Sequence, residues 1–239
     1  MGAESADLGE LTRDRELLDR SSTAERVATI LRDRLIEGFF PPGTRLSEES
    51  IGKALGVSRN TLREAFRLLA HERLVEHELN RGVFVRRLTP QDVVGLFRFR
   101  RIVECAALRE LPTAPESAIR AVRAAVEQGA AAAKESRWAE AGTANMRFHQ
   151  AVVGLTGSSH LEQATRQAMA ELRLVFHVVR DPRSLHEPYV ARNRELLEAV
   201  EARDASQAER LLTDYLADAE KQLLHAYEEA ARGAEGARG

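Results

Sequence analysis

The most constraining feature of this 239-residue sequence is a pair of short amphipathic segments joined by a tight turn. Ser47 can cap the first segment as a helix, and Ile51 and Leu55 contribute to its apolar face. Gly56 ends that helix, and Ser58 caps the next one two residues later. Two helices joined by a short turn that contains glycine are typical of a helix-turn-helix.

The helix that follows Ser58 has two chemically different faces. Its apolar face, which predicts contact with a small core, consists of Leu62, Ala65, Phe66 and Leu69. The side chains that a recognition helix would present to the major groove are Ser58, Arg59, Asn60, Thr61, Arg63 and Arg67. Arginine can pair with guanine and asparagine with adenine. A solvated arginine-rich helix is the alternative, but the capped helix and tight turn before it favour DNA binding.

The flanking segments predict a winged domain over residues 21–87. Ser22 and Thr23 can cap a first helix that ends near Gly38. Residues 74–77 and 83–86 predict a β-hairpin after the third helix.

The tip of this hairpin also carries candidate DNA contacts. Arg81 can reach into a narrow minor groove, and Gly82 permits a positive φ or a close approach to phosphate. A glycine that merely forms the turn is an equally consistent interpretation of Gly82.

The remainder of the chain predicts helices only. Their expected ranges are 90–111, 115–134, 136–156, 159–180, 184–203 and 205–231. The expected fold class is therefore mainly α: an N-terminal winged helix-turn-helix with a small β-hairpin wing, then a six-helix antiparallel bundle over 88–231. Residues 1–20 and 232–239 are expected to be disordered.

Three of these helices place polar residues within apolar stripes. Asn145 and His149 are four residues apart on one helix, Asn193 precedes Leu196, and Tyr215 lies on the last helix. Buried polar groups either bond to one another or line a cavity that holds water or a ligand. The sequence leaves both alternatives open.

Charge and composition exclude several classes of protein. The net charge of −2 predicts no particular partner, although residues 21–87 carry 12 Lys and Arg against 9 Asp and Glu. The first twenty residues resemble neither a secretory signal nor a membrane span, so we expect a cytoplasmic protein without a membrane partner. A single cysteine, Cys105, fits a reducing compartment.

The run "GFFPPGTRLSEESIGKALGVSRNTLREAFRLLAHERLVEHELNRGVFVRRLT" resembles the winged helix-turn-helix of GntR-family bacterial transcription regulators. The all-helical segment behind it is similar to the FCD-like effector domain of the family's FadR-type branch. By this resemblance, Arg45, Arg59, Arg63 and the wing tip at Gly82 contact operator DNA.

The resemblance also implies a metal site that this chain has largely lost. Many members bind a divalent metal with an aspartate, a histidine four residues later and two further histidines. The matching positions here are Asn145, His149, Asn193 and Tyr215, so only His149 is retained. We therefore expect no metal cofactor and direct binding of an organic effector. A rearranged site that uses His160 or His177 is the alternative.

Arg100 is the position that the resemblance assigns to an effector carboxylate. Arginine can bind a carboxylate with two parallel hydrogen bonds. Glu104 lies one turn away, so an intrahelical ion pair is the alternative interpretation.

Together these features predict a homodimeric, effector-responsive transcription regulator that binds a palindromic DNA operator, with repression as the family's default. The alternatives are an enzyme centred on His149 and an architectural nucleic-acid binder. No nucleophile, metal motif or phosphate-binding glycine loop accompanies His149, and this disfavours the enzyme.

Overall fold

The computed structural model describes residues 22–179 and 181–236, and the expected disorder of residues 1–20 lies outside that range. The first part of the described chain folds into three helices and three strands. They are α1 (Thr23–Ile36), β1 (Arg45–Leu46), α2 (Glu48–Leu55), α3 (Arg59–His71), β2 (Val75–Glu78) and β3 (Gly82–Val85).

Serine caps fix the beginnings of all three helices. Ser22 forms a capping box with Glu25 at the start of α1. The hydroxyls of Ser47 and Ser58 accept hydrogen bonds from the amides of Ser50 and Thr61, at 3.2 and 3.1 Å. The helix beginnings expected from the sequence are confirmed.

The strands form one antiparallel sheet in the order β1-β3-β2. The predicted hairpin is present, and each of its strands is displaced by one residue. β2 lies at 75–78 instead of the expected 74–77, and β3 lies at 82–85 instead of 83–86. The third strand, β1, was not predicted, because two residues are too few to show an alternating pattern. Hydrogen bonds from Gly43 N to Val85 O and from Val85 N to Thr44 O hold that segment beside β3.

Six antiparallel helices follow, as expected. They are α4 (Pro90–Arg109), α5 (Glu116–Lys134), α6 (Trp138–Gly154), α7 (Ser159–Val175), α8 (Pro182–Glu201) and α9 (Ala205–Gly236). Their apolar faces and those of the winged region form a continuous core.

Two helix ends differ from the expected ones by five residues, whereas the other ends and the beginnings of the bundle helices lie within two residues of expectation. α7 was expected to reach residue 180, but it ends at Val175 and a 3-10 turn follows over Phe176–Val178. The last helix was expected to stop at 231, with disorder from 232, but it continues through Gly236. A glycine costs only about 1 kcal/mol in a helix, so Gly233 does not end one rich in alanine and glutamate. Residues 237–239 lie outside the described range.

Polar contacts from α7 connect the bundle to the winged region. The buried Glu171 carboxylate accepts a 2.9 Å hydrogen bond from Arg86, which also contacts Asp92 at 2.5 Å. Arg173 Nε donates to the carbonyl of Ile36 at 3.1 Å, at the end of α1. The orientation of the winged region is therefore connected to α7.

Candidate functional site

The first candidate surface is built by the turn between α2 and α3. Gly56 has a φ of +65°, a left-handed conformation that glycine adopts without strain. The amide of Val57 donates to Gly52 O at 3.0 Å, and Ser58 then caps α3. The turn fixes the angle at which α3 leaves α2, as a helix-turn-helix requires.

The two faces of α3 are confirmed. Its apolar residues Leu62, Ala65, Phe66 and Leu69 are completely buried. The side chains of Arg59, Asn60, Arg63 and Arg67 are exposed, whereas Thr61 is half-buried. The hydroxyls of Ser58 and Thr61 lie 2.8 Å apart, so these two residues contribute first to the helix cap.

Arg63 and Arg67 are paired weakly enough to be available to another partner. Arg63 Nε lies 3.1 Å from both carboxylate oxygens of Glu48 on α2, yet 60% of its side chain is exposed. Arg67 contacts Glu64 at 3.0 Å and is even more exposed. Because solvent-exposed ion pairs contribute only about 0–1 kcal/mol, a phosphate or base could replace these carboxylates at little cost.

The wing carries further cationic groups. Asn80 and Gly82 have φ values of +60° and +111°, which bend the chain between β2 and β3. Arg81 contacts Glu78, and its guanidinium lies 5.4 Å from the centre of the Phe84 ring. Both Arg81 and Gly82 are exposed.

Arg45 lies beside this wing tip. It pairs with Phe84 across the strands, and a Cβ added to Gly82 would lie 3.3 Å from Arg45 Nε. In the sequence, Arg45 is a candidate DNA contact only by resemblance to GntR-family regulators. Strand β1 now gives the physical reason for its position, because it brings Arg45 to the edge of β3.

The second candidate site is a cluster of buried polar side chains inside the bundle. Arg100 and Glu104 on α4 form an ion pair at 2.8 Å, and Glu104 lies 2.7 Å from His149 Nδ1 on α6. Their exposed fractions are 3%, 1% and 1%. From the sequence, Glu104 is expected only as an ion-pair partner of Arg100. The contact between Glu104 and His149 does not follow from the sequence.

Burial and charge set the protonation states in this half of the cluster. Burial alone would raise the pKa of Glu104, but the adjacent Arg100 guanidinium keeps the pKa below its ordinary value. Burial and the charge of Arg100 lower the pKa of His149, which is therefore neutral. Since a carboxylate only accepts hydrogen bonds, His149 donates from Nδ1 and its Nε2 is an acceptor.

The other half of the cluster joins three helices through one amide oxygen. Asn145 Oδ1 accepts hydrogen bonds from Tyr215 OH and from Asn193 Nδ2, both at 2.8 Å. The rings of Tyr215 and His149 lie 5.1 Å apart, so the two halves are in contact. Burial raises the pKa of Tyr215, which keeps the phenol protonated as a donor. The five residues proposed for an effector site are thus brought together.

These polar residues confirm one of the two interpretations that the sequence left open, whereas a cavity that holds water or a ligand stays a prediction. They do bond to one another, and Arg100 forms the ion pair with Glu104. Three buried atoms of this cluster nevertheless have no hydrogen-bond partner among the described residues: Arg100 Nη2, His149 Nε2 and Asn193 Oδ1. One donor and two acceptors therefore remain for a polar molecule.

The residues at this site fit a divalent metal poorly. Asn145 Oδ1 already accepts two hydrogen bonds, from an amide and a protonated phenol that are themselves poor metal ligands, so His149 Nε2 is the one favourable ligand among the four matched positions. Of the alternative ligands, His160 is exposed and His177 lies against Gly38. Over residues 22–179 and 181–236, no three His, Cys, Asp or Glu side chains are grouped for metal binding.

The fold and these two sites define a winged-helix protein with an all-helical second domain, and comparisons with known proteins agree. Residues 23–85 match "Bacterial regulatory proteins, gntR family", and residues 95–218 match the FCD domain. A solved Rhodococcus sp. RHA1 protein, described as a putative transcriptional regulator GntR, is 45% identical with a TM-score of 0.81. The alignment covers 87% of this chain and 100% of that one.

Two curated relatives differ in how much of their length is matched. A regulator from Streptomyces ambofaciens, in an unstable DNA locus, is 30% identical over 78% of each chain. The Bacillus licheniformis gluconate operon transcriptional repressor is 36% identical, but the match covers 39% of this chain and 38% of that protein.

The chain therefore belongs to the GntR family of bacterial regulatory proteins, in the group that carries an FCD domain. The matched relatives and the fold are those of transcriptional regulators and not of enzymes. Within the described residues, no helix combines the length and apolar composition that crossing a bilayer requires.

Proposed function

We propose that this protein is an effector-responsive transcription regulator that binds a palindromic DNA operator as a homodimer in the cytoplasm and represses transcription. The observation that carries the proposal is the exposed polar face of α3, which a short turn joins to α2 and which a hairpin with an exposed Arg81 follows in the chain. Repression is supported by relatives named as repressors, among them one named for D-xylose utilisation in Paenarthrobacter nicotinovorans.

The DNA contacts divide into two groups by position. Arg59, Asn60 and Arg63 are at the start of α3, where side chains can read base edges. Ser58 and Thr61 lie in the same turn, where their hydroxyls suit phosphate oxygens. Arg45, Arg81 and the Gly82 backbone form the wing contact with the DNA backbone or minor groove.

The effector site proposed here is the interior polar cluster. Arg100, Asn145, His149, Asn193 and Tyr215 bind the effector directly, without a metal ion. The proposal is supported by the three unpartnered buried atoms and by the use of Asn145 Oδ1 as a double acceptor. A carboxylate effector would have to compete with Glu104 for Arg100, so an uncharged hydroxylated effector fits the charge balance better.

The DNA-binding proposal is tested by selecting bound duplexes from a random-sequence pool with the purified full-length protein. We expect a palindromic consensus. Arg63→Ala should lower discrimination at one base position by roughly 1–3 kcal/mol, because a bidentate arginine contact is lost.

Arg210→Ala, on the exposed surface of α9, is the matched control and should leave the selected sequence unchanged. An equal loss of affinity for every sequence in Arg63→Ala would contradict base reading. Uniform affinity of the native protein for all sequences would support the architectural binder instead.

The effector proposal is tested by thermal shift with D-xylose and gluconate as the first compounds, since related regulators are named for operons of these substrates. A ligand of the interior site should raise the melting temperature and change operator affinity, and both effects should disappear in Asn193→Ala. Stoichiometric metal in protein purified without chelator, lost in His149→Ala, would overturn the metal-free site.

A further inference from the structure

A cleft separate from both sites lies between the winged region and the bundle. Its volume is about 330 Å³, within the range typical of small-molecule sites. One wall is α1, which contributes Arg32, Asp33 and Ile36, and the opposite wall is formed by α6 and α7. A molecule in this cleft would touch both parts of the protein.

The cleft is lined by more positive than negative charge. Four arginines face a single acid, Asp33: they are Arg32, Arg147, Arg166 and Arg173. Arg32 is bound by both oxygens of Glu72, at 2.5 and 2.6 Å, and Arg166 lies 3.6 Å from Glu162. The positive charges of these two guanidinium groups are therefore largely balanced by carboxylates.

Arg147 and Arg173 differ from the other two arginines. Arg147 donates only to the neutral amide oxygen of Gln128, at 3.2 Å. Arg173 donates to the carbonyls of Ile36 and Ala139 and to the Thr143 hydroxyl, at 3.1, 3.2 and 3.4 Å. In the part of the chain that the structure describes, neither guanidinium forms an ion pair with a carboxylate.

Burial makes the uncompensated charge of Arg173 costly. Desolvation lowers the pKa of this guanidinium, which shows that its surroundings disfavour the cation. The charge of Arg173 also helps to depress the pKa of the neighbouring His186. An anion in the cleft would offset this penalty, and charge-assisted hydrogen bonds to arginine are among the strongest in proteins.

The rest of the lining suits an apolar group. Met146, Met169, Ala170 and Ile36 contribute side chains to the cleft, and both methionines are buried. Thioether side chains adapt to apolar ligands of different shapes. The cleft thus combines a cationic part with an apolar part.

We propose that this cleft is a second ligand site, which binds a small amphipathic organic anion through Arg147 and Arg173 and its apolar part against Met146 and Met169. The anionic group is a carboxylate or a phosphate monoester. Because Ile36 of α1 lines the same cleft, the bound molecule also contacts α1 and holds the winged region in one orientation relative to the bundle. The site does not depend on the interior cluster or on bound DNA.

Isothermal titration calorimetry of the full chain with hexanoate, hexyl phosphate and hexan-1-ol tests this site. We expect saturable binding of one anion per chain and no binding of the alcohol. The tighter-bound anion shows whether the site prefers a carboxylate or a phosphate. Arg147→Gln should weaken anion binding about tenfold, since one charge-assisted contact is lost.

Two control variants separate this site from others. Arg120→Gln removes an exposed arginine from α5 and should not alter binding, and Asn193→Ala in the interior cluster should not alter it either. Binding should also slow amide hydrogen exchange in α1.

Absence of millimolar binding by both anions, or equal binding of hexan-1-ol, would overturn the proposal. The same conclusion follows if Arg147→Gln binds normally, if Asn193→Ala abolishes binding, or if exchange in α1 is unchanged. Since operator selection measures DNA binding alone, failure here leaves the regulator proposal intact.

Discussion

Ser58 has a structural role that can be separated from a role in DNA binding. Its hydroxyl accepts the Thr61 amide hydrogen bond that begins α3. Ser58→Ala should lower the free energy of unfolding by about 1 kcal/mol, and Ser58→Gly by only a few tenths, because glycine is a tolerated N-cap. Urea denaturation measures both.

The Ser58→Gly variant then tests whether the Ser58 hydroxyl contacts the operator DNA. If the Ser58 hydroxyl contacts the operator, Ser58→Gly should bind it more weakly while remaining nearly as stable as the native protein. Equal stability losses in the alanine and glycine variants would contradict the capping role.

His186 gives the protein a pH-dependent stability. Burial and the charge of Arg173 lower its pKa from 6.5 to about 4, and the Phe176 ring lies against it. Above pH 6.5 both folded and unfolded forms are neutral at this residue, whereas between pH 6.5 and 4 only the unfolded chain binds the proton. The contribution of neutral His186 to stability is therefore lost as the pH falls through this window.

We expect His186→Gln to reduce the acid-induced loss of unfolding free energy by up to about 1.4 kcal/mol per pH unit in that window. Urea denaturation at a series of pH values measures the slope. His160→Gln, which changes an exposed histidine, is the control and should keep the native slope. An unchanged slope in His186→Gln would contradict the depressed pKa.

The residue pattern predicts which side chains interrupt the apolar stripes of the bundle, but it does not predict the contacts that these side chains make between helices. Helical spacing showed that Asn145, His149, Asn193 and Tyr215 interrupt apolar stripes. The hydrogen bond between His149 and Glu104 joins α6 to α4, and no spacing within one helix reveals a contact between two helices. The arrangement of helices around the cluster decides which atoms remain without partners.

At the scale of elements, the wing depends on the backbone of Gly82. Its φ of +111° is unfavourable for any residue with a side chain, and an added Cβ would also press on Arg45. Gly82→Ala should destabilise the protein by roughly 1–3 kcal/mol and weaken operator binding. Differential scanning calorimetry and a binding titration measure the two effects.

Gly95→Ala, within α4, has open space around the new methyl group and should instead be neutral or slightly stabilising. Similar results for the two variants would contradict a special role for Gly82.

The junction between α7 and the wing depends on Arg86. Removing its guanidinium leaves the buried Glu171 carboxylate with only the more distant Arg73, at 3.6 Å. Arg86→Ala should therefore lower the free energy of unfolding by roughly 1–3 kcal/mol, the cost of an unsatisfied buried group. Arg87→Ala, which changes the adjacent exposed arginine, should have little effect in the same urea titration. Equal losses of unfolding free energy in Arg86→Ala and Arg87→Ala would contradict a specific role of Arg86 in joining α7 to the wing.

The elements also show why some of the fold could be predicted. Serine caps and glycine turns are local signals, so the beginnings of α1, α2 and α3 followed from a few residues each. Strand β1 is held by hydrogen bonds to β3, some forty residues later in the chain, so its two residues carry no local signal. The same limit applies to the end of α7, where the 3-10 turn follows a helical sequence pattern.

At the scale of the whole molecule, regulation requires that ligand binding in the bundle change the position of α3. Glu171 and Arg173 on α7 connect the bundle to the wing and to α1. A coupling of about 1–3 kcal/mol through these contacts would shift operator affinity 5- to 150-fold. In a homodimer the same shift would change the spacing of two α3 helices.

A crystal structure of the full chain bound to the duplex obtained by selection tests whether α3 reads the operator. We expect a two-fold symmetric dimer with α3 of each protomer in the major groove and the Arg59 and Arg63 guanidinium groups within hydrogen-bonding distance of base edges. DNA bound to another surface, or an α3 that faces only solvent in the complex, would contradict operator reading by α3.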